Sequence, residues 1–233
     1  MTITELHDTY DQRKDLVEVA RPAHRKSKVR EVIQRLVGEG NKSILDVGCA
    51  TGEILKPFTM SNDITGMDCY NAFLGRAKAN GYLRTENIDA FNDTFPFGDC
   101  CFDIAFCGEC IEHGVDTDWL LCEINRVIKP DGNLVLTFPN IRTPISFLTM
   151  LLNRAPMFAA RLRAEHVRDF TTASIRAALT ENGFKVLKMV GVDFCVSSSP
   201  NGVLPQVASF FPSLASTVVV VAQKVFQATY RVH

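Results

Sequence analysis

Short apolar runs alternate with amphipathic helical stretches along nearly the whole chain, and this alternation limits the available folds more than any other feature. Val29, Val32, Ile33, Leu36 and Val37 recur at helical spacing in a helix that starts at Pro22 and is stopped by Gly38 and Gly40. Residues 43–47 (SILDV) read as a buried strand, and a helix is expected to begin over residues 53–58. A strand over 64–67 is followed by a helix over 70–79 that ends at Asn80-Gly81. Residues 102–107 (FDIAFC) form a further strand, and 117–128 a helix with Trp119, Leu120, Ile124, Val127 and Ile128 on one face. Lys129-Pro130-Asp131-Gly132 is a strong turn signal before a buried strand over 133–138. Residues 171–182 form a helix that Thr171 or Thr172 caps and Gly183 ends, and strands over 184–192 and 216–222 close the series. Strands alternating with helices need right-handed crossovers, so the predicted class is α/β, a mostly parallel sheet covered on both faces.

The 233 residues, 46% of them hydrophobic, suffice for the core of one large domain, so a single domain over 1–233 is expected. Its 25 Lys+Arg balance 26 Asp+Glu, which argues against a disordered chain and against general nucleic-acid binding. Arg25, Lys26, Lys28, Arg30 and Arg35 line the outer side of the first helix, as in a solvated face. Residues 1–20 carry Glu5, Asp8, Asp11, Arg13, Lys14, Asp15 and Glu18 and no apolar stretch, unlike a signal peptide. A cytoplasmic location follows as the expectation, with the cysteines reduced and mostly acting as small buried hydrophobes. Only Cys107-x-x-Cys110 has a metal or redox spacing, and no second such pair lies at zinc-ribbon distance, so no metal is expected. From Phe194 to Gln223 no residue is charged, but Pro200, Gly202, Pro205 and Pro212 break the run. Its uninterrupted apolar piece, 218–222, suits a final buried strand, and no transmembrane segment is expected.

Ligands of open α/β sheets bind beyond the carboxyl ends of the strands, near the point where strand order reverses. After the first strand comes Asp46-Val47-Gly48-Cys49-Ala50-Thr51-Gly52, whose glycines permit a tight turn and close approach of a ligand to the backbone. Asp68 ends the second strand 20 residues after Gly48, a spacing suited to a carboxylate that accepts both ribose hydroxyls of a nucleoside. A dinucleotide fingerprint would need three glycines as GxGxxG; here two lie four apart, and Glu53 at the expected helix start would repel a pyrophosphate but tolerate a cationic ligand. No GK[ST] ending marks a phosphate-binding P-loop either. An adenosine cofactor with a positive centre and no phosphate is favoured.

The motifs ILDVGCATG, ITGMD, FDIAFCGECIEH and RVIKPDGNLVLTFPN, in that order, resemble those of class I S-adenosylmethionine-dependent methyltransferases. More narrowly the chain is similar to the type 11 group, which includes ubiquinone-pathway O-methyltransferases, over about residues 29–221. The resemblance implies a Rossmann-like, doubly wound seven-stranded sheet with an antiparallel last strand. It implies that Asp46 and Gly48 hold the methionyl end of the cofactor and that Asp68 takes the ribose. Asp89 would bond the adenine amino group and Ala90 meet the ring; Cys107 and Gly108 would line the methionine and sulfonium. Cys49, Gly52 and Cys69 complete the implied cofactor set. Ala50 stands where the family usually has glycine.

His113 and His166 are the catalytic candidates, the first matching the family's "EH" after the fourth strand and the second an "EHvr-Ft" segment of relatives acting on sugars or lipids. A hydrogen-bonded structural role is open for both. His7 and His24 lie in an N-terminal region, 1–40, that would form a helical lid. Residues 41–140 would bind cofactor, 141–170 would cap the substrate, and 171–233 would form the substrate-side half. The cap region carries Ile145, Phe147, Leu148, Met150, Leu151, Leu152, Met157, Phe158 and Leu162, interleaved with Arg142, Arg154, Arg161 and Arg163. That mixture suits a hydrophobic or lipid-linked acceptor, peripheral membrane contact, or a homodimer face. Methyl transfer to an oxygen of a small molecule, sugar or lipid-linked acceptor is the favoured function. A non-catalytic interaction module and a nicotinamide-dependent oxidoreductase are the alternatives.

Overall fold

The computed structural model describes residues 23–156, 166–194 and 208–230. Helix α1 (Ala23–Val37) precedes β1 (Ser43–Val47), and β2 (Asp63–Asp68) is followed by α2 (Asn71–Ala79). Then come β3 (Arg84–Asn87), β4 (Phe102–Gly108), α3 (Thr117–Val127) and the long β5 (Ile128–Pro139). The chain continues through α4 (Pro144–Leu151), α5 (Thr172–Glu181), β6 (Phe184–Asp193) and β7 (Thr217–Lys224). One seven-stranded sheet has the order β3-β2-β1-β4-β5-β7-β6, with β7 antiparallel to both neighbours and the other pairs parallel. Order reverses between β1 and β4, the position at whose carboxyl ends sheets of this kind bind ligands.

Period-two alternation sorts the strand residues onto two faces. Ile44, Ile104, Phe106, Val135 and Val219 pack with Val29, Val32, Ile33 and Val37 of α1 and with Leu74 and Ala77 of α2. Leu45, Ala105, Cys107, Leu134, Leu136 and Val220 pack on the other face with Leu120, Leu121 and Ile124 of α3 and Ile175 and Leu179 of α5. Each fully buried Leu, Ile or Val contributes about 1.5–3 kcal/mol, so both layers are needed to hold the sheet.

Three local expectations change. No regular helix follows the glycine loop, only a 3-10 turn over Lys56–Phe58. Pro57 cannot supply a helix-interior N–H, and the Arg30 guanidinium donates to the Glu53 and Ile54 carbonyls instead, at 2.5 and 3.2 Å. The Lys129–Gly132 turn lies within β5 as a bulge, with Asp131 at φ +61°, between the pairs Phe102↔Ile128 and Ile104↔Asn133. Strand β3, RTEN, carries no apolar residue and so gave no periodic signal; it forms by pairing Arg84–Asn87 with Thr65–Asp68 at the sheet edge. Thr171 does cap α5, in a reciprocal capping box with Ser174.

Candidate active site

The loop after β1 turns on left-handed residues: Gly48 at φ +67°, Ala50 at +45° and Gly52 at +75°. A Cβ on Gly52 would stand 2.6 Å from Tyr82 Cε2, and one on Gly48 would stand 2.9 Å from Cys110 Sγ. Both glycines therefore serve conformation and close approach together. Ala50 tolerates a conformation that costs an L-residue about 1–2 kcal/mol, offset by its N–H bond to Asp68 Oδ2 at 2.9 Å. The Cys49 N–H donates to the Met67 carbonyl at 3.0 Å, tying the loop to the end of β2.

Asp46 is buried, and its Oδ2 accepts from the Tyr82 hydroxyl at 2.5 Å. Burial, followed by the Asp46 carboxylate, pushes the Tyr82 phenol far above its usual range and keeps it a donor. Tyr82 orients Asp46 and walls the glycine turn, yet the sequence reading missed it; its one signal was its place directly after Asn80-Gly81. Asp68 Oδ1 accepts from the Tyr70 N–H at 3.0 Å while Oδ2 takes Ala50. Burial raises the Asp68 pKa, and the Tyr70, Ala50 and Cys69 backbone bonds only partly oppose it. Burial, Asp46 and Asp68 likewise raise the Cys49 thiol. Cys69 lies exposed beside Asp68, and desolvation, Asp68 and Asp89 push its thiol up to about 12.

The Ile88 N–H bonds the Asp68 carbonyl at 3.2 Å, which brings the 88–90 segment beside the ribose candidate. The Asp89 carboxylate closes its own turn, accepting from the Phe91 N–H at 3.0 Å and Asn92 Nδ2 at 2.8 Å, and Ala90 is buried against the core. Cys107 is fully buried, its thiol packed in the core, so its side chain does not line an open pocket. Gly108 is closed over by the Phe106 ring, 2.4 Å from where a Cβ would be. At the end of β4, Glu109 anchors its N–H to Thr137 Oγ1 at 3.0 Å, and its Oε1 is buried with no hydrogen-bond partner.

The chemistry of this donor set fits the cofactor that the sequence favours. Carboxylates Asp46, Asp68 and Glu109 gather at the ends of β1, β2 and β4, where a cation with hydroxyls is stabilised and a pyrophosphate is repelled.

A second cluster stands beyond β4. Glu112 is 1% exposed, its Oε1 is 3.9 Å from His166 Nε2, and the His113 and His166 rings meet edge-on with centres 5.1 Å apart. The Glu112 carbonyl accepts from the Val167 and Arg168 N–H groups at 2.9 and 3.2 Å, locking the segment after His166 onto the 111–113 turn. The structure thus joins the two catalytic candidates to each other and to Glu112, whose part the sequence reading did not identify. A shallow groove of about 490 Å³, lined by Val115, Val167, Arg168, Asp169, Phe170 and Ser174, opens alongside. His24 falls elsewhere: with Arg25 it pairs to the buried Asp193 carboxylate. His7, Met157, Phe158, Leu162, Arg161 and Arg163 lie outside the described residues.

A family model described as a methyltransferase domain matches residues 22–189. The chain belongs to that methyltransferase-domain family. This methyltransferase-family chain is 27% identical to the O-methyltransferase cnsE of Penicillium expansum over 172 residues, covering 70% of this chain and 59% of that protein. It spans about half the length of the curated relatives it matches, between 42% and 61% of the first four. Its fold is similar to a 1,6-didemethyltoxoflavin-N1-methyltransferase of Burkholderia thailandensis, with TM-score 0.64 at 17% identity, covering 96% of this chain and 87% of that one. The cyclase SpnF shares the fold as well, with TM-score 0.61 at 21% identity over 84% of this chain and 80% of that one. One methyltransferase-type fold thus carries different activities, a methyl transfer and a cyclisation, and the reaction must be argued from the site.

Proposed function

We propose that the protein is an S-adenosylmethionine-dependent methyltransferase acting on an oxygen of a small molecule, a sugar or a lipid-linked acceptor. The observation that carries this reading is the Asp68 carboxylate bound to the Ala50 N–H of the glycine loop at the switch point of the sheet. That contact supports a ribose-accepting carboxylate beside a close-approach backbone, without the three-glycine spacing or helix start a dinucleotide needs. The curated O-methyltransferases among its relatives favour oxygen as the acceptor atom.

When bound, the cofactor would supply an electrophilic methyl carbon on a sulfonium, with a neutral thioether as its leaving group. The chain's own residues bind, orient and handle one proton. Asp68 accepts from the ribose, Asp89 and Ala90 face the base, and Asp46, held by Tyr82, takes the cationic methionyl end. Gly48, Cys49, Gly52 and Cys69 shape the crevice around them, with Cys107 and Gly108 packed behind it in the core. The acceptor hydroxyl surrenders its proton at the Glu112–His113–His166 cluster, with the 490 Å³ groove as the acceptor's approach. Residues 41–140 serve as the cofactor half, 141–170 as cap and 171–233 as the substrate-side half of one domain, while α1, expected as part of a lid, packs into the core on one face of the sheet instead.

The lipid-linked version rests on α4, whose N-cap Thr143 and buried Ser146 seat it while Phe147 and Leu151, 63% and 67% exposed, face outward. Such a face suits an apolar acceptor chain or a membrane surface. No helix of the described residues is long and apolar enough to cross a membrane.

Calorimetric titration of the full chain with S-adenosylmethionine and with NAD tests the reading. Micromolar binding of the sulfonium cofactor alone is expected. Asp68→Ala should weaken it about 100-fold, from two hydrogen bonds to a charged group at about 1.5 kcal/mol each. Binding of NAD instead would favour an oxidoreductase, and binding of neither would favour an interaction module.

A further inference from the structure

We propose that Glu112, His113 and His166 form a binding site for a single divalent transition-metal ion of the zinc class. One donor atom from each residue lies within 4.8 Å of the other two. The donor types decide the ion: two imidazoles and one carboxylate suit Zn²⁺ or Co²⁺, whereas Mg²⁺ and Ca²⁺ prefer oxygen ligands throughout.

The geometry is already close to that of a metal site. With bonds of 2.0–2.1 Å, tetrahedral neighbours stand about 3.4 Å apart, and two coordinated imidazoles have ring centres about 5.2 Å apart. The observed values are 3.9 Å between Glu112 Oε1 and His166 Nε2 and 5.1 Å between the ring centres. Side-chain shifts of about half an ångström to an ångström complete the cage. The frame that carries the donors is set: the Val167 and Arg168 N–H groups hold the Glu112 carbonyl, and the His113 N–H donates to the Cys110 carbonyl at 3.0 Å. Three protein ligands leave one position open, as catalytic sites do, and the two histidines are partly exposed beside the groove.

The role of the ion rests on the methyltransferase reading; the site itself does not. An ion held there would lower the pKa of an acceptor hydroxyl at the open position, so that its proton would leave to solvent and the oxygen would bond the methyl carbon as the carbon–sulfur bond breaks. The imidazoles then act as ligands, and the proton given up at this cluster goes to solvent rather than onto a ring nitrogen.

The test titrates the EDTA-stripped, reduced full chain with Co²⁺ and Zn²⁺, read by visible absorption and calorimetry, with S-adenosylmethionine titrated in parallel. One equivalent of Co²⁺ without a thiolate charge-transfer band is expected. His166→Ala and Glu112→Gln should each weaken it about 100-fold or more, while all eight cysteines remain. Zn²⁺ should also displace the bound Co²⁺ while a large excess of Mg²⁺ should not, a readout that needs no variant to fold. No bound equivalent, an equivalent that survives both substitutions, or one that Mg²⁺ displaces overturns the site. Metal binding without S-adenosylmethionine binding would uphold the site and sink the methyltransferase reading; the reverse would sink only the site.

Discussion

Gly52→Ala tests how the glycine loop is held. The added methyl would meet Tyr82 Cε2 at 2.6 Å, in a backbone at φ +75°. The left-handed conformation costs an alanine about 1–2 kcal/mol. The ring cannot retreat without drawing its hydroxyl from Asp46, and a buried carboxylate that loses a hydrogen bond costs about 1–3 kcal/mol more. A total of about 2–5 kcal/mol corresponds to a fall in Tm of roughly 5–15 °C at this chain length. Tyr82→Phe keeps the ring and removes only the hydroxyl, so it should cost about 1–3 kcal/mol by itself. In the double variant the two losses should sum to less than their separate values, because both act on the Tyr82–Asp46 bond. Thermal unfolding of the four proteins, with S-adenosylmethionine calorimetry on each, measures the cycle. A fall in Tm of under 2 °C for Gly52→Ala, or strict additivity with Tyr82→Phe, would refute the coupling.

Three further outcomes follow from the same structure. Arg25→Ala should cost about 3–5 kcal/mol in chemical denaturation, because it strips a charge partner from the fully buried Asp193, with His24 left as the remaining one. Cofactor affinity should weaken as pH falls, beginning above the ordinary aspartate value of about 3.9, because burial raises Asp68 and only its ionised form accepts from both hydroxyls. The same raised pKa gives the apo protein the opposite slope: this group favours the fold at low pH, and that contribution fades as pH rises through the folded value. Calorimetry and denaturation between pH 4.5 and 8 separate the two signs, and an affinity flat across that range counts against Asp68. Replacing Leu148 and Leu151 by glutamate should lower binding to anionic vesicles without touching cofactor affinity; unchanged vesicle binding removes the membrane version of the acceptor.

The alternation of apolar runs already encoded the α/β class and the helices over 117–128 and 171–182, because a buried strand and an amphipathic helix each need a recurring apolar pattern. The turn chemistry of Asp46–Gly52 and the spacing to Asp68 already encoded the glycine loop and the carboxylate proposed to take the ribose, since both depend on residues close in sequence. Local pattern by itself could not show β3, whose four polar residues are held by pairing alone, nor the loss of a helix at Pro57. It could not show that Cys107 turns into the core or that Tyr82 supports Asp46 from 36 positions away. His113 and His166 were each visible singly; their meeting with Glu112 was not. That cluster exists because two backbone N–H groups after His166 find the Glu112 carbonyl, a pairing between distant segments that only tertiary packing decides.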